Sequence, residues 1–256
     1  LEISYTKSMS RAGGLARIRL HGNPGTPESR RLGGLNSLNT HKKTSSGFKL
    51  LRAISTPPNS IALAELLGIL AGDGHIDTYQ VSITTHAVTD LEHAQYSKAL
   101  FEKVFPIRAS LIFRKDCNAC VVCVSSKSIS DILVKKGMKR GHKIKNSLCM
   151  PKWVQAKIQY RKAFVRGLFD TDGSVYLDTH RINGKLYKNI AMLFTNRCLP
   201  LLADFKATTE ELGLHPTQKT DFAVFLRRKE EIRRYFSIVG SSNPKHLRKV
   251  EAYFRS

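Results

Sequence analysis

The residues best placed to do chemistry are two aspartates, Asp73 and Asp172, each of which follows an apolar segment and precedes a glycine. If each segment is a helix, its aspartate lies at the negative end of the helix dipole, where acidic side chains are disfavoured. Two unpaired carboxylates that lie close together also repel one another, which pushes one of them toward protonation. A hard divalent cation such as Mg²⁺ resolves both problems, because it prefers carboxylate and carbonyl oxygens.

An ion held in this way would activate a water molecule and stabilise the leaving oxygen in phosphodiester hydrolysis. The free carbonyl groups at the two helix ends, those of Gly72 and Thr171, are further candidate metal ligands, and Mn²⁺ or Ca²⁺ would fit the same oxygen donors. For either motif alone, an Asp-Gly turn that merely ends a helix is the simpler interpretation. Two copies in matching surroundings favour the metal site.

The segments that carry the aspartates repeat with a step of 99 residues. Small residues recur at every fourth position of both segments: Ala64, Gly68 and Gly72, then Ala163, Gly167 and Thr171. A stripe of small residues lets two helix backbones approach more closely than the usual ~8–10 Å, and a glycine inside a helix costs ~1 kcal/mol against alanine. The spacing therefore predicts two helices, over residues 61–72 and 161–171, that pack along their small faces.

The pattern that follows each helix also repeats. Strand pairs are predicted over residues 75–86 and 107–124 in the first half and over 174–196 and 217–226 in the second. The remaining helices are predicted over residues 91–105, 129–136, 199–212 and 230–238. The sequence thus predicts an α+β fold with two pseudo-symmetric αββαββα halves, residues 61–150 and 151–256, whose small-residue helices meet at a pseudo-twofold axis.

Composition points to a polyanionic partner. The chain has 42 Lys and Arg against 20 Asp and Glu, a formal charge of +22, which favours nucleic acid. Residues 1–60 hold ten Lys or Arg against two acids, so this basic N-terminal arm either lies along DNA or is a disordered leader. No apolar run reaches the ~18 residues of a spanning helix, so no membrane partner is expected. Five cysteines are too few for a disulfide scaffold, which favours an intracellular, reducing compartment, whether cytoplasm, nucleoid or organelle matrix.

Residues 67–74 (Leu-Gly-Ile-Leu-Ala-Gly-Asp-Gly) and 166–173 (Arg-Gly-Leu-Phe-Asp-Thr-Asp-Gly) resemble the two signature motifs of single-chain LAGLIDADG homing endonucleases, or meganucleases. The resemblance covers the chain from about residue 61 onward. It implies a saddle of two four-stranded antiparallel sheets that lies in the DNA major groove, with the motif helices at the interface between the halves. It further implies that the last aspartate of each motif binds metal and that both strands are cut across the minor groove, leaving short 3′ overhangs.

The two motifs differ at one acidic position, where the first has Ala71 and the second has Asp170. That position is not the metal ligand in the family, and the ligand position is acidic in both halves. The resemblance therefore implies two competent halves, which favours double-strand cleavage over nicking.

Further catalytic positions follow from the resemblance. His86 and Asn196 match the polar residue that ends the second strand of each half and helps to order water, although a histidine at a strand end is also commonly a surface residue. Lys143 and Lys245 match the basic residue that follows the third helix and would stabilise charge on the scissile phosphate. Lys145 and Arg248 are neighbouring candidates for the same role, and an ordinary surface lysine is the alternative.

If the saddle is correct, outward-facing residues of its strands meet DNA. The candidate DNA-binding residues are Asp77, Tyr79, Arg108, Arg114, Tyr176, Asp178, His180 and Lys219. For each of them, a solvated polar strand face is the alternative. Because the halves differ in sequence, the expected target is asymmetric and about 20 base pairs long.

Cys117, Cys120 and Cys123 form a Cys-x-x-Cys-x-x-Cys run, which is a possible zinc motif. A tetrahedral zinc site needs a fourth ligand, and no second Cys or His pair with zinc spacing follows. Packing of Cys120 and Cys123 as small apolar residues in a valine-rich strand is therefore the favoured interpretation.

Two functions remain for the whole chain. The first is a monomeric, metal-dependent, site-specific double-strand DNA endonuclease of the homing type, encoded in a mobile intron. The alternative keeps the fold but makes the chain a non-cleaving nucleic-acid binder, such as an intron-splicing maturase or a regulator. Loss of either metal-binding aspartate would favour the alternative, and both are present.

Overall fold

A computed structural model of the chain describes residues 2–22, 25–43 and 54–255. The chain forms two compact units, residues 1–50 and 51–256. The first unit contains helices α1 (Glu2–His21) and α2 (Pro27–Lys43), so part of the predicted basic arm is helical. Residues 44–53 of that arm lie outside the described residues, and contact of the arm with DNA stays a prediction.

The second unit contains two successive copies of one helix and strand pattern. The first copy consists of α3 (Ile61–Gly72), β1 (Gly74–Ile76), β2 (Val81–His86), α4 (Leu91–Val104), β3 (Ser110–Phe113), β4 (Ala119–Val124) and α5 (Lys127–Lys135). A short helix α6 (Lys152–Gln155) leads to the second copy, which consists of α7 (Ile158–Asp172), β5 (Gly173–Ile182), β6 (Lys185–Thr195), α8 (Leu199–Glu211), β7 (Thr217–Thr220), β8 (Ala223–Leu226) and α9 (Lys229–Ile238). A final helix α10 (Pro244–Arg255), which the sequence pattern did not predict, follows.

The strands form two antiparallel sheets with equivalent topology. Their strand orders are β1-β2-β4-β3 and β5-β6-β8-β7. Each sheet thus has the second and fourth strands of its own half at the centre, flanked by the first and third strands. The α+β fold with two αββαββα halves is confirmed.

Helix α3 is buried from Leu63 to Gly72, and every residue of that stretch except Glu65 is apolar. Leu63, Leu66 and Leu67 have no exposed surface. The helix begins at Ser60, whose hydroxyl accepts a hydrogen bond from the Leu63 amide at 3.1 Å, a standard N-cap. Among the described residues, no helix is both long enough and apolar enough to cross a membrane.

The small faces of α3 and α7 are in direct backbone contact. A Cβ atom at Gly68 would overlap the carbonyl oxygen of Phe164, and a Cβ atom at Gly167 would overlap that of Glu65. The pseudo-twofold axis relates these two contacts, because Gly68 and Glu65 correspond to Gly167 and Phe164 at a distance of 99 residues. The predicted packing of the two helices through their small residues is confirmed.

We expect Gly68→Ala to lower the free energy of unfolding by about 2–3 kcal/mol, because the new methyl group meets backbone that cannot rotate away. Urea denaturation of the purified variant measures this directly. Gly33→Ala in α2 is the matched control, since nothing lies within 4 Å of the added Cβ there and alanine is the better helix former. Equal stability of wild type and Gly68→Ala would contradict the close approach of the helices.

Candidate functional site

The C-terminal ends of α3 and α7 meet and bring the two motif aspartates together. Asp73 is the C-cap residue of α3, and Asp172 is the last residue of α7. A Cβ atom on Gly72 would overlap the Thr171 side chain and lie 3.2 Å from Oδ2 of Asp172, so only glycine fits at this point of α3. The carboxylate of one half therefore reaches the helix end of the other half, as the spacing predicted.

Both carboxyl groups hold their protons more tightly than an exposed aspartate does. Burial raises the pKa of Asp73 to about 6. Burial, together with repulsion from Asp73, raises the pKa of Asp172 to about 7. Negative charge at this place is thus under-compensated by the protein, which is the electrostatic condition that favours a bound cation.

Lys143 supplies part of the missing positive charge. Its ammonium group donates a hydrogen bond to the carbonyl oxygen of Gly72 and is attracted to both Asp172 and Asp73. Burial lowers the pKa of Lys143, although the two carboxylates oppose that effect. The lysine that the family resemblance selected therefore lies at the paired aspartates and not on the outer surface.

A pocket opens beside each aspartate. The first pocket, about 380 Å³, is lined by Asp73, His86, Asp90, Thr171 and neighbouring strand residues. The second pocket, about 220 Å³, is lined by Asp172, Asn196, Lys143, Gly72, Cys198 and their neighbours. The two pockets occupy pseudo-symmetric places, one in each half, as two reaction centres acting on two strands would require.

The polar residues that end β2 and β6 hold different partners. The Asn196 amide nitrogen donates to Oδ2 of Asp172 at 2.8 Å, while its oxygen accepts the Cys198 amide at 2.7 Å, so both ends of the side chain are fixed. His86 instead accepts hydrogen bonds at Nδ1 from the amides of Val88 and Thr89, both at 3.2 Å. An Nδ1 that accepts two hydrogen bonds leaves Nε2 as the nitrogen available to the first pocket.

Lys245 is placed differently from Lys143. Its Nζ lies 2.6 Å from Oδ1 of Asp90 in a partly buried ion pair, and it does not line the first pocket. Oδ1 of Asp90 also accepts the Asn243 amide at 2.9 Å, and its Oδ2 accepts the Thr89 hydroxyl at 2.9 Å. Both lysines of the family pattern are therefore present in the sequence, but only Lys143 lines a pocket beside a motif aspartate.

The donor set at the helix ends fits a hard divalent cation. Two carboxylates are present, and Gly72 and Thr171 line the second and the first pocket respectively. In the part of the chain that the structure describes, no group of three or more His, Cys, Asp or Glu side chains could hold a metal by itself.

In the first half, all four candidate DNA-binding residues lie beside the strands and not on them. Strand β1 ends at Ile76, so Asp77 and Tyr79 lie in the turn before β2, and the prediction that they stand on a strand was wrong. Arg108 precedes β3 and Arg114 follows it, and both are exposed. The backbone turned earlier than alternation suggested because the Asp77 amide already closes the turn onto the Gln80 carbonyl at 2.8 Å.

In the second half, the candidates lie on the outer face of the sheet. Tyr176, Asp178 and His180 alternate with the buried Val175 along β5 and so share the face opposite the core. Asp178 pairs with Arg227 at 3.3 Å, and the His180 ring stacks on Tyr187. Lys219 is exposed on β7, where the pairing with β8 shifts between Gln218 and Thr220.

The cysteine run does not gather into one site. Cys120 and Cys123 are three positions apart on β4, so their side chains point to opposite faces of the sheet. Cys117 is exposed in the preceding turn, whereas Cys120 and Cys123 are buried. The geometry matches packing as small apolar residues.

Sequence analysis missed a buried polar cluster beside the site. Asn243 joins the Asp90 carboxylate to the carbonyl oxygen of Asp170, at 2.9 and 3.0 Å. Asp170 accepts the Ser242 amide at 2.7 Å, and burial raises its pKa to about 7, so this residue holds the segment before α10 and does not face the pockets. Alignment of the two halves could have pointed to this cluster, because the residue immediately before α4 is Asp90 whereas the residue immediately before α8 is Cys198.

Comparisons with known proteins agree with this architecture. Residues 159–249 match the family described as LAGLIDADG-like domain. The structure of the LAGLIDADG meganuclease I-AabMI bound to uncleaved DNA is similar, with a TM-score of 0.50 and 12% identity over 74% of this chain and 87% of that one. The K262A mutant of I-SmaMI gives a TM-score of 0.50 and 10% identity, over 75% of this chain and 88% of that one.

Curated relatives are more similar in sequence but much longer. The tRNA-splicing ligase RtcB of Methanopyrus kandleri is 25% identical over 208 residues, which are 72% of this chain and 21% of the ligase. The Replication factor C small subunit of Methanocaldococcus jannaschii is 28% identical over 164 residues, 58% of this chain and 9% of that protein. The chain thus spans about a fifth or less of these relatives.

The domain match covers the second motif helix, its sheet and α9. The first half repeats the same elements, the same sheet order and the same helix contact. Residues 159–249 therefore contain a LAGLIDADG-like domain, and the first half of the second unit repeats its order of helices and strands.

Proposed function

We propose that this chain is a divalent-metal-dependent, site-specific endonuclease that cuts both strands of a DNA duplex at a long asymmetric target. The observation that carries the proposal is the convergence of Asp73 and Asp172 from two symmetry-related helix ends, with a pocket beside each. Burial that raises the pKa of both carboxyls supports a cation as their partner. A positive charge of +22 supports a polyanionic substrate.

The residues of the site divide the work of hydrolysis. Asp73 and Asp172, as carboxylates, would hold Mg²⁺, or Mn²⁺ or Ca²⁺ in its place, and Mg²⁺ would supply activation of a water molecule and stabilisation of the leaving oxygen. Asn196 keeps Oδ2 of Asp172 in place through its 2.8 Å hydrogen bond. Nε2 of His86 faces the first pocket, where it can orient a water molecule.

Lys143 contributes positive charge at the phosphate. It lines the second pocket beside Asp172, where an ammonium group can stabilise the charge that develops on the scissile phosphate. The exposed cations Arg108, Arg114 and Lys219 and the outer face of β5 would contact the backbone and base edges of the duplex. Short 3′ overhangs and intron homing belong to the same proposal and rest on the family resemblance.

Incubation with a plasmid library of candidate insertion sites, including the DNA that flanks this reading frame, tests the proposal. We expect a linear product in Mg²⁺ that is absent with EDTA, and sequencing of the ends should place both cuts within one asymmetric site of about 20 base pairs. In Ca²⁺, gel shifts of the same site report binding separately from cutting. Tight, specific binding without any cut in Mg²⁺ or Mn²⁺ would instead assign the chain to the non-cleaving binders, such as a maturase.

A further inference from the structure

The two pockets differ in the residue that precedes α4 and α8. Asp90 precedes α4 and lines the first pocket together with Asp73, whereas Cys198 precedes α8 and lines the second pocket together with Asp172. The equivalent positions thus present a carboxylate to one pocket and a thiol to the other. This difference decides where the lysine of each half can go.

Asp90 forms an ion pair with the lysine of its pocket, whereas Cys198 forms no ion pair with Lys143. Lys245 is bound to Oδ1 of Asp90 at 2.6 Å, with side chains that are 29% and 12% exposed. In the second half Cys198 stands in place of such a carboxylate, so the Lys143 ammonium group reaches the Gly72 carbonyl and lines the second pocket beside Asp172. To move into the first pocket, Lys245 would have to break its ion pair with Asp90. The Asp90 carboxylate would then keep only its hydrogen bonds from Asn243 and Thr89, and it would repel the nearby Asp73 more strongly.

We propose that Asp90 is a positioning residue that withholds Lys245 from the first pocket, so that the two DNA strands are cut at unequal rates and a nicked duplex is the intermediate. This inference rests on the proposed endonuclease function. The fraction of molecules with Lys245 free is set by the cost of breaking one charged hydrogen bond, so the strand over the first pocket should be cut about tenfold more slowly.

The wild-type protein provides the first test. A duplex that carries the target, labelled on one strand at a time, gives the two cutting rates in Mg²⁺, and a supercoiled plasmid shows whether the nicked circle accumulates. Lys143→Ala should slow the faster strand selectively, which identifies that strand as the one over the second pocket. Equal strand rates in a protein that cuts would overturn the inference and leave the proposed function standing; no cutting at all would overturn both.

Asp90→Asn tests the cause of the difference. With the ion pair removed, the slower strand should be cut about tenfold faster and the nicked circle should no longer accumulate. Asp90→Cys, which copies the counterpart residue Cys198, should do the same and serves if the asparagine variant does not fold. Glu92→Gln is the matched control, because it removes an exposed carboxylate that pairs with Arg248 and likewise joins α4 to α10.

A double variant separates the effect on Lys245 from an effect on Asp73. If Asp90 acts by holding Lys245, the gain from Asp90→Asn disappears in a Lys245→Ala background. If Asp90 acts by repelling Asp73, the same gain persists without the lysine. Persistence of the gain, or a slower strand that does not respond to either folded Asp90 variant, would overturn the proposal.

Discussion

Asp172→Asn should reduce the cutting of both strands by about a thousandfold while leaving affinity for the target nearly unchanged. The asparagine oxygen can still accept the hydrogen bond that Asn196 donates, so the shape of the site is kept and only the negative charge is lost. A cation bound between the two helix ends would then have one charged carboxylate ligand, that of Asp73, in place of two. The proposed duplex contacts lie on the sheets and loops, so they remain.

Rates from labelled duplex in Mg²⁺ and gel shifts in Ca²⁺ measure the two effects separately. Glu251→Gln is a suitable control, because it also removes one carboxylate but lies on the exposed side of α10. Cutting by Asp172→Asn at the wild-type rate would show that the paired aspartates are not the catalytic centre. Loss of binding together with cutting would show that the substitution disturbed the fold or the groove.

The pairing of the two aspartates was predictable from sequence because close approach of two helix backbones requires small residues at fixed positions of each helix. Close helix packing demands small residues at Gly68 and Gly167, and these recur with the same step as the aspartates. The strand boundaries were less predictable, since the turn that places Asp77 and Tyr79 is closed by backbone hydrogen bonds that any residue can form.

Contacts between polar residues that are far apart in the chain produced no comparable sequence pattern. Asp90 and Lys245 are separated by 155 residues, and their pairing depends on α10, a helix without a counterpart in the repeat pattern. The same holds for Asn243, which joins Asp90 to Asp170. The lysine of each half could therefore be identified from its position in the sequence, whereas the group that each lysine binds depends on tertiary packing and could not be predicted.

Asp172→Asn should also stabilise the metal-free protein at neutral pH. The pKa of Asp172 is raised from its ordinary 3.8 to about 7, so the folded chain binds this proton more tightly than the unfolded chain. Its contribution to stability is complete below pH ~4 and is lost as pH rises through about 7. A raised pKa of this size corresponds to about 4 kcal/mol of stability, which the wild type loses when Asp172 ionises and which the asparagine variant keeps.

Urea denaturation in EDTA between pH 4 and pH 8 checks this expectation. The difference in unfolding free energy between Asp172→Asn and wild type should be small at pH ~4 and grow to about 4 kcal/mol by pH 8. Glu251→Gln should show no such rise.

Addition of Mg²⁺ at pH 8 links this stability effect to catalysis. If the two carboxylates form the cation site, the metal should stabilise the wild type by mass action and restore much of the free energy that ionisation removed. Asp172→Asn should gain far less from Mg²⁺, because one of the two charged ligands is missing. Equal stabilisation of both proteins by Mg²⁺, or a wild-type free energy that does not fall between pH 4 and pH 8 relative to the variant, would mean that the buried charges at the helix ends are balanced without a metal.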